Sequence, residues 1–306
     1  MIQVIYNDTD ITARVAINRC YHDMYAGDQP DALHLTFNEA SNLWDLWGPA
    51  AGDTIRVVYG SISTGKMFVS KVSPKNGTYT IGATSAPASG YDPKDKAWQR
   101  VRLLQIGREI AERNGLFFHS YGVEDRLYNY ILQSGEGDYH FLNRLARLEG
   151  CSVIIYDGKL VLYSEAHLEA QSAQEQLTID ASGEFEYTDR KDALYGSCIV
   201  ENGEYSGTFS AGNGSARSYY PTGILNAGGN DDARRFAKNL LRSVNKKCRT
   251  GFVRTRILPG YAPGSMVILS NPRAPSWDGP VFLEHIRNDY GRGQSKVFFR
   301  KPLEGY

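Results

Sequence analysis

The chain has 306 residues, and its 34 Lys+Arg are balanced by 34 Asp+Glu, so the formal charge is zero. That balance argues against a protein held on nucleic acid by bulk basic charge. With 42% hydrophobic and 22% charged residues, the chain can bury cores and is far from the composition of disordered segments. Single cores stop growing at about 250–300 residues, so at least two domains are expected.

The opening residues, Met1 to Asp8, lack the basic and apolar regions of an export signal. Apolar runs such as Val153 to Tyr156 fall far short of the roughly 20 residues of a membrane span. A soluble protein made in a cytoplasm, with no membrane anchor, is expected. Cys20, Cys151, Cys198 and Cys248 form no CxxC pair, which predicts reduced, packed thiols.

In chain order, short alternating or β-branched runs predict strands at Gln3 to Tyr6, Ala13 to Ile17, Ala32 to Phe37, Thr54 to Tyr59, Lys66 to Val72 and Gly77 to Ala83. Strands spaced in this way suggest a sandwich or barrel. The Pro-, Ser- and Gly-rich stretch from Ser85 to Lys96 marks a boundary. Ala97 to Asn114 then carries Leu103, Ile106, Ile110 and Ala111 at helical spacing. A second helix starts at Asp138, whose carboxylate is expected to cap the first turn, and buries Phe141, Leu142, Leu145 and Ala146 before stopping at Gly150. Two apolar strands follow, joined by Asp157-Gly158, a strong signal for a type I′ hairpin. β character resumes from Leu177 to Glu201, and seven glycines between 203 and 229 indicate loops and a short hairpin. A long amphipathic helix carries Ala233, Phe236, Ala237, Leu240, Leu241 and Val244 on one stripe, and the chain is β again from Gly251.

The two β regions share a pattern. In the first, Gly52 is followed by Ile55 and Val57, and Gly65 by Phe68 and Val72. In the second, Gly264 is followed by Val267 and Leu269, and Gly279 by Phe282 and Ile286. Pro49 and Pro263 precede the first glycine of each copy. The fold class read from this is mainly β with an α+β insertion: two tube-like β-barrels, a small α+β domain and a small helix-containing insertion. The expected division is 1–92 for the first barrel, 93–172 for the α+β domain, 173–204 with 251–306 for the second barrel, and 205–250 for the insertion with its hairpin and basic helix.

Catalytic motifs do not emerge. Gly60 to Lys66 has most of the P-loop spacing, but Met67 stands where a Ser or Thr would hold magnesium, and a strand follows instead of a helix. Glu136 with Asp138, or Glu124 with Asp125, could in principle flank a glycosidic bond, and Asp138 with His140 could share a metal but lack a third ligand. His22, His34, His119, His140, His167 and His285 do not cluster in sequence. No catalytic, cofactor-binding or metal residue is assigned, and no cofactor is expected. Segment 231–256 holds Arg234, Arg235, Lys238, Arg242, Lys246, Lys247, Arg249, Arg254 and Arg256 against Asp231 and Asp232. The preferred reading is a solvated helix whose charges follow its macrodipole. The alternatives are a phosphate-backbone contact or an acidic protein partner.

The run from Gln133 to Gly150, with Glu136-x-Asp138, Phe141-Leu142-x-Arg144-Leu145-Ala146 and a closing Gly, followed by a hairpin, resembles the phage late control D family of tail baseplate hub proteins. That family is related to the hub region of type VI secretion spike proteins. Leu258-Pro259-Gly260, Pro263-Gly264 and Asp278-Gly279 before Phe282 are similar to it as well. The resemblance implies a structural, non-enzymatic homotrimer in the tail baseplate of a virion or phage-tail-like particle, assembled in a bacterial host cytoplasm. Its implied partners are the hexameric tail tube ring, the trimeric central spike and other baseplate proteins, around a lumen through which DNA can pass. With Tyr306 directly after the last β segment, no fused cell-wall hydrolase is expected. Two competing readings remain: a peptidoglycan or polysaccharide hydrolase using Glu136 or other acids, and a carbohydrate-binding protein drawing on the 20 tyrosines and 12 phenylalanines.

Overall fold

The computed structural model describes residues 2–39, 43–173, 175–179, 183–223 and 225–306. The first stretch forms β1 (Ile2–Tyr6), β2 (Thr9–Asp10), β3 (Ala16–Tyr25), β4 (Ala32–Asn38), α1 (Leu43–Trp47), β5 (Thr54–Tyr59), β6 (Ile62–Ser63), β7 (Met67–Lys75) and β8 (Thr78–Thr84). Alternation drives the inward residues together: Leu33, Leu35, Phe37, Ile55, Val57 and Met67 are all buried around Trp44 of α1. The expected strand at Ala13 to Ile17 is displaced. A 3-10 turn covers Thr12–Arg14, and β3 instead runs on to Tyr25 through the polar residues His22 and Asp23.

The middle of the chain forms β9 (Lys94–Arg102), α2 (Leu103–Arg113), β10 (Phe117–Tyr121), β11 (Leu127–Glu136), α3 (Asp138–Leu148), β12 (Cys151–Tyr156), β13 (Lys159–Ser164) and α4 (Glu165–Glu169). Ala97 to Arg102 was expected to be helical but extends β9, because Trp98 and Val101, on either side of Arg100 at positive φ, both turn inward and pair across to Ile131 and Tyr128 of β11. The first turn of α2 is capped from a distance, with Leu104 N–H donating to Asp125 Oδ1 at 2.9 Å. Asp157 and Gly158 both adopt positive φ (46° and 71°), as a type I′ hairpin demands.

The remainder comprises β14 (Glu175–Thr178), β15 (Phe185–Asp189), β16 (Ser197–Asn202), β17 (Tyr205–Ser210), β18 (Ser218–Tyr219), α5 (Asn230–Asn245), β19 (Arg249–Arg256), β20 (Met266–Ser270), β21 (Gly279–Asp289) and β22 (Gln294–Arg300). Part of the β region expected between Leu177 and Glu201, residues 180–182, lies outside the described residues. β16, expected in the second barrel, pairs instead with β17 and β18 and packs on α5. Gly207 lets β17 lie directly on α5: a Cβ there would sit 2.2 Å from the Arg234 backbone nitrogen. Gly207→Ala is expected to lose about 2–3 kcal/mol in urea denaturation, since helix backbone cannot give way as a side-chain tip can. A loss below about 0.5 kcal/mol would show that the packing has slack.

The two β regions share one sheet, with 14 strands among the described residues. Along it the first half reads β3-β4-β8-β7-β5-β1 and the second β15-β19-β22-β21-β20-β14. With β1, β3, β4, β5, β7 and β8 matched in turn to β14, β15, β19, β20, β21 and β22, the two orders are the same. The terminal pairs differ, β1–β5 being antiparallel and β14–β20 parallel. Each half packs its own core, the second around Leu177, Val253, Val267, Leu269, Leu283 and Phe299. The expected pair of barrels thus takes the form of two repeated halves of a continuous sheet, and among the described residues no pairing closes either half on itself.

Candidate assembly surface

The repeat extends to single residues. Gly52 and Gly264, both at positive φ, donate their N–H to Val69 O at 2.9 Å and Leu283 O at 2.8 Å. Asp53 and Ser265 accept in return from the Val69 and Leu283 amides. One residue later both strands carry a bulge, between Val69 and Lys71 in β7 and between Leu283 and His285 in β21. Phe68 therefore corresponds to Phe282, and Val72 to Ile286, as the glycine spacing implies. Ile55, Val57, Val267 and Leu269 are all buried, so both halves point the same positions inward.

The halves join where β21 pairs antiparallel with β3, Asp289 opposite Tyr21 through to His285 opposite Tyr25. This seam is polar and buried. Asp23 is 2% exposed, and its Oδ1 receives both His285 Nε2 and Arg287 Nε at 2.7 Å. Burial alone would raise the Asp23 pKa, but the His285 and Arg287 hydrogen bonds hold it below the ordinary carboxylate value. His285 lies stacked between Tyr25 and Phe298 at centroid distances of 4.4 and 4.6 Å. His22 is fully buried, 3.1 Å from the Tyr290 hydroxyl, and burial pushes its imidazole down to about 4. Two histidines dispersed in sequence thus lie in one seam, on opposite faces of the sheet, which only the pairing of strands some 260 residues apart brings about.

A second polar cluster joins the last half, the middle unit and α5. Arg300 of β22, 1% exposed, lies 2.5 Å from Glu169, 3.1 Å from Glu284 and 3.3 Å from Glu165. From α5, Arg242 reaches Glu169 and Lys246 reaches Glu165, both at 2.7 Å, while Ser152 Oγ donates to Glu165 at 2.6 Å. Arg235, two turns before Arg242, holds Glu149 and Asp232 at 2.7 Å. The basic helix is therefore not the fully solvated face expected of it: Arg235, Arg242 and Lys246 are spent on carboxylates of its own chain.

The acids considered for hydrolysis are similarly occupied. Glu136 pairs with Arg144 at 2.5 Å, and Glu124 with Arg126. Asp138 does not cap α3, whose N-cap is Gly137. Its carboxylate is fully buried and receives Lys94 at 2.7 Å, Arg113 at 2.9 Å, and Asn114 and Gln133 at 3.0 Å. Burial works against that charge, yet the donors, Lys94 foremost, keep its pKa below the usual value. His140 is exposed and edge-on to Tyr91, away from this cluster. Among the described residues no group of three or more His, Cys, Asp or Glu could hold a metal. The P-loop-like segment is a turn whose Gly65 and Lys66 meet the Asp157 hairpin tip, with Lys66 N–H donating to Asp157 Oδ1 at 3.0 Å.

No protein-family model and no curated protein matches the sequence. Solved structures do match its fold. The 43 kDa tail protein of prophage MuSo2 from Shewanella oneidensis superposes with a TM-score of 0.78 at 12% identity, covering 98% of each chain. The tail protein from Neisseria meningitidis MC58 gives 0.74 at 12% identity, over 98% of this chain and 96% of that one. The E. coli c3393 protein, described as a type VI secretion component with structural similarity to T4 tail proteins gp27 and gp5, gives 0.62 at 11% identity, over 95% of this chain and 76% of that one. The resemblance drawn from residues 133–150 to the baseplate hub family holds for the fold: the chain is built as phage tail proteins and their type VI secretion counterpart are built.

Proposed function

We propose that this chain is a structural component of the tail of a phage or phage-tail-like particle. In this reading it is the baseplate hub: a homotrimer that joins the hexameric tail tube on one side to the trimeric spike on the other. The repeated strand order supports it most directly. Three copies of a chain with two equivalent halves offer six near-equivalent surfaces on a threefold axis, which is what a junction between sixfold and threefold partners requires. Assembly by strand pairing and buried surface needs no reaction, and of the acids considered for a hydrolase Glu124, Glu136 and Asp138 are ion-paired while Asp125 accepts from the Leu104 amide. The buried clusters support a division close to the expected one, with the middle unit near 93–172 and the helical insertion enlarged to include β16.

Sedimentation of the purified chain tests this reading. The expected mass is three times that of the chain, with ring-shaped particles showing sixfold-like averages by electron microscopy. A species that stays monomeric, or pairs as a twofold dimer, overturns the adaptor.

A further inference from the structure

The internal seam has two unmatched counterparts. β21 pairs with β3, but the corresponding stretch of β7, residues 71–75, has no partner on the side away from β8 among the described residues. β15, the counterpart of β3, pairs only with β19 among the described residues. Resting on the trimeric reading above, we propose that three copies close a ring by pairing β7 residues 71–75 of one copy antiparallel with β15 residues 186–190 of the next.

The register follows from the repeat. His22 lies opposite Leu33, and Tyr187 opposite Gly251. Leu33 and Gly251 in turn face Ala83 and Phe299, the partners of Val69 and Leu283. Tyr187 therefore takes the place of His22, and transferring the seam sets Lys75 against Glu186, Pro74 against Tyr187, Ser73 against Thr188, Val72 against Asp189 and Lys71 against Arg190.

Backbone direction agrees. In the seam, Tyr290 N–H donates to Cys20 O at 3.0 Å and Ala26 N–H to Glu284 O at 2.8 Å. Alternation along the ladder then turns the amides of Ile286 and Asn288 toward β3. In β15, the bonds from Arg254 N–H to Glu184 O (2.8 Å) and from Arg190 N–H to Cys248 O (2.7 Å) turn even-numbered residues toward β19. The amides of Tyr187 and Asp189 are left facing outward, opposite the carbonyls of Pro74 and Val72. Pro74 stands where Asn288 donates, so the ring ladder has one bond fewer than the seam, and no buried donor is stranded on that edge.

Side chains agree as well. Val72 shares the sheet face of the fully buried Ile81 yet is 36% exposed, whereas its counterpart Ile286 is 2% exposed. A neighbouring strand would cover it as β3 covers Ile286. Lys75 would face Glu186 with Glu184 diagonal to it, a favourable cross-strand arrangement. The like-charged Lys71 and Arg190 meet only at the end of the ladder. Lysine and proline on an edge also serve to keep a strand from pairing at all, which is the alternative the test must separate.

Ser73 and Thr188 form a non-hydrogen-bonded pair in this register, with Cα atoms about 4.5 Å apart, inside the range a disulfide spans. The Ser73→Cys/Thr188→Cys variant, oxidised mildly, is expected to run as a covalent trimer on a non-reducing gel and to revert on reduction. Each single variant and the offset Ser73→Cys/Glu186→Cys variant are expected not to link into trimers. A trimer in solution that fails to link overturns this strand pairing while leaving the adaptor intact. A chain that remains monomeric and unlinked at every concentration overturns both.

Discussion

Replacing Arg300 by alanine is expected to remove about 3–5 kcal/mol of folding stability, because it leaves buried carboxylates without their central cation. Arg300, Arg242 and Lys246 balance Glu165, Glu169 and Glu284 in a cluster that ties the last sheet half to α4 and α5. Urea denaturation measures the loss, and Arg300→Lys is expected to recover part of it, since lysine keeps the charge but not the fork that reaches three carboxylates. A loss under about 1 kcal/mol would show that water enters the cluster and solvates the acids. The same cluster sets an acid limit. Burial opposes the Glu165 charge, but Lys246 and Arg300 bring its pKa down to about 2 from an ordinary 4.5. A carboxylate with a depressed folded pKa contributes fully above its unfolded pKa, and that contribution is lost as pH falls through the folded one. Stability is therefore expected to drop between pH 4.5 and 2, and Glu165→Gln is expected to flatten that part of the profile. An unchanged profile in the variant would remove Glu165 from the account.

Asp138→Ala is expected to cost about 3 kcal/mol. Two of the four donors to Asp138, Asn114 and Gln133, are buried themselves and cannot turn to water, whereas Lys94 and Arg113 are partly exposed and can. Asp138→Asn keeps the size and some bonds, so its loss is expected to be smaller. If Asp138 acted as a helix cap instead, Asn would serve nearly as well as Asp and Ala would cost only about 1 kcal/mol. Thermal denaturation of the two variants separates these accounts. The depressed pKa of Asp138 adds to acid sensitivity in the same direction as Glu165, below its ordinary 3.8.

Asp138 also shows what a linear reading can and cannot reach. Its position at the start of an amphipathic run is legible, and α3 does begin there, but its role is decided by Lys94, Arg113, Asn114 and Gln133, which lie on three other elements. β9 went the same way: Leu103, Ile106 and Ile110 announce a helix, yet residues just before it are drawn into a strand by β11, whose own weak alternation gave no warning. Tertiary pairing overrode local preference there, as it commonly does for strands.

The local chain by itself determined whatever depends on a few adjacent residues: the positive-φ Asp157-Gly158 turn, the apolar stripe of α5, and the glycine and aliphatic spacing that repeats from Gly52 to Val72 and from Gly264 to Ile286. Those patterns sufficed to indicate a duplicated β protein, and the run from Gln133 to Gly150 carried the resemblance to a family. The seam around Asp23 and His285, the cluster around Arg300 and the two edges left open at Val72 and Tyr187 were decided only by the tertiary structure. Each is a relation between strands or helices far apart in the chain, and partner choice across such distances is set by register and burial, which leave no periodic mark on either segment alone.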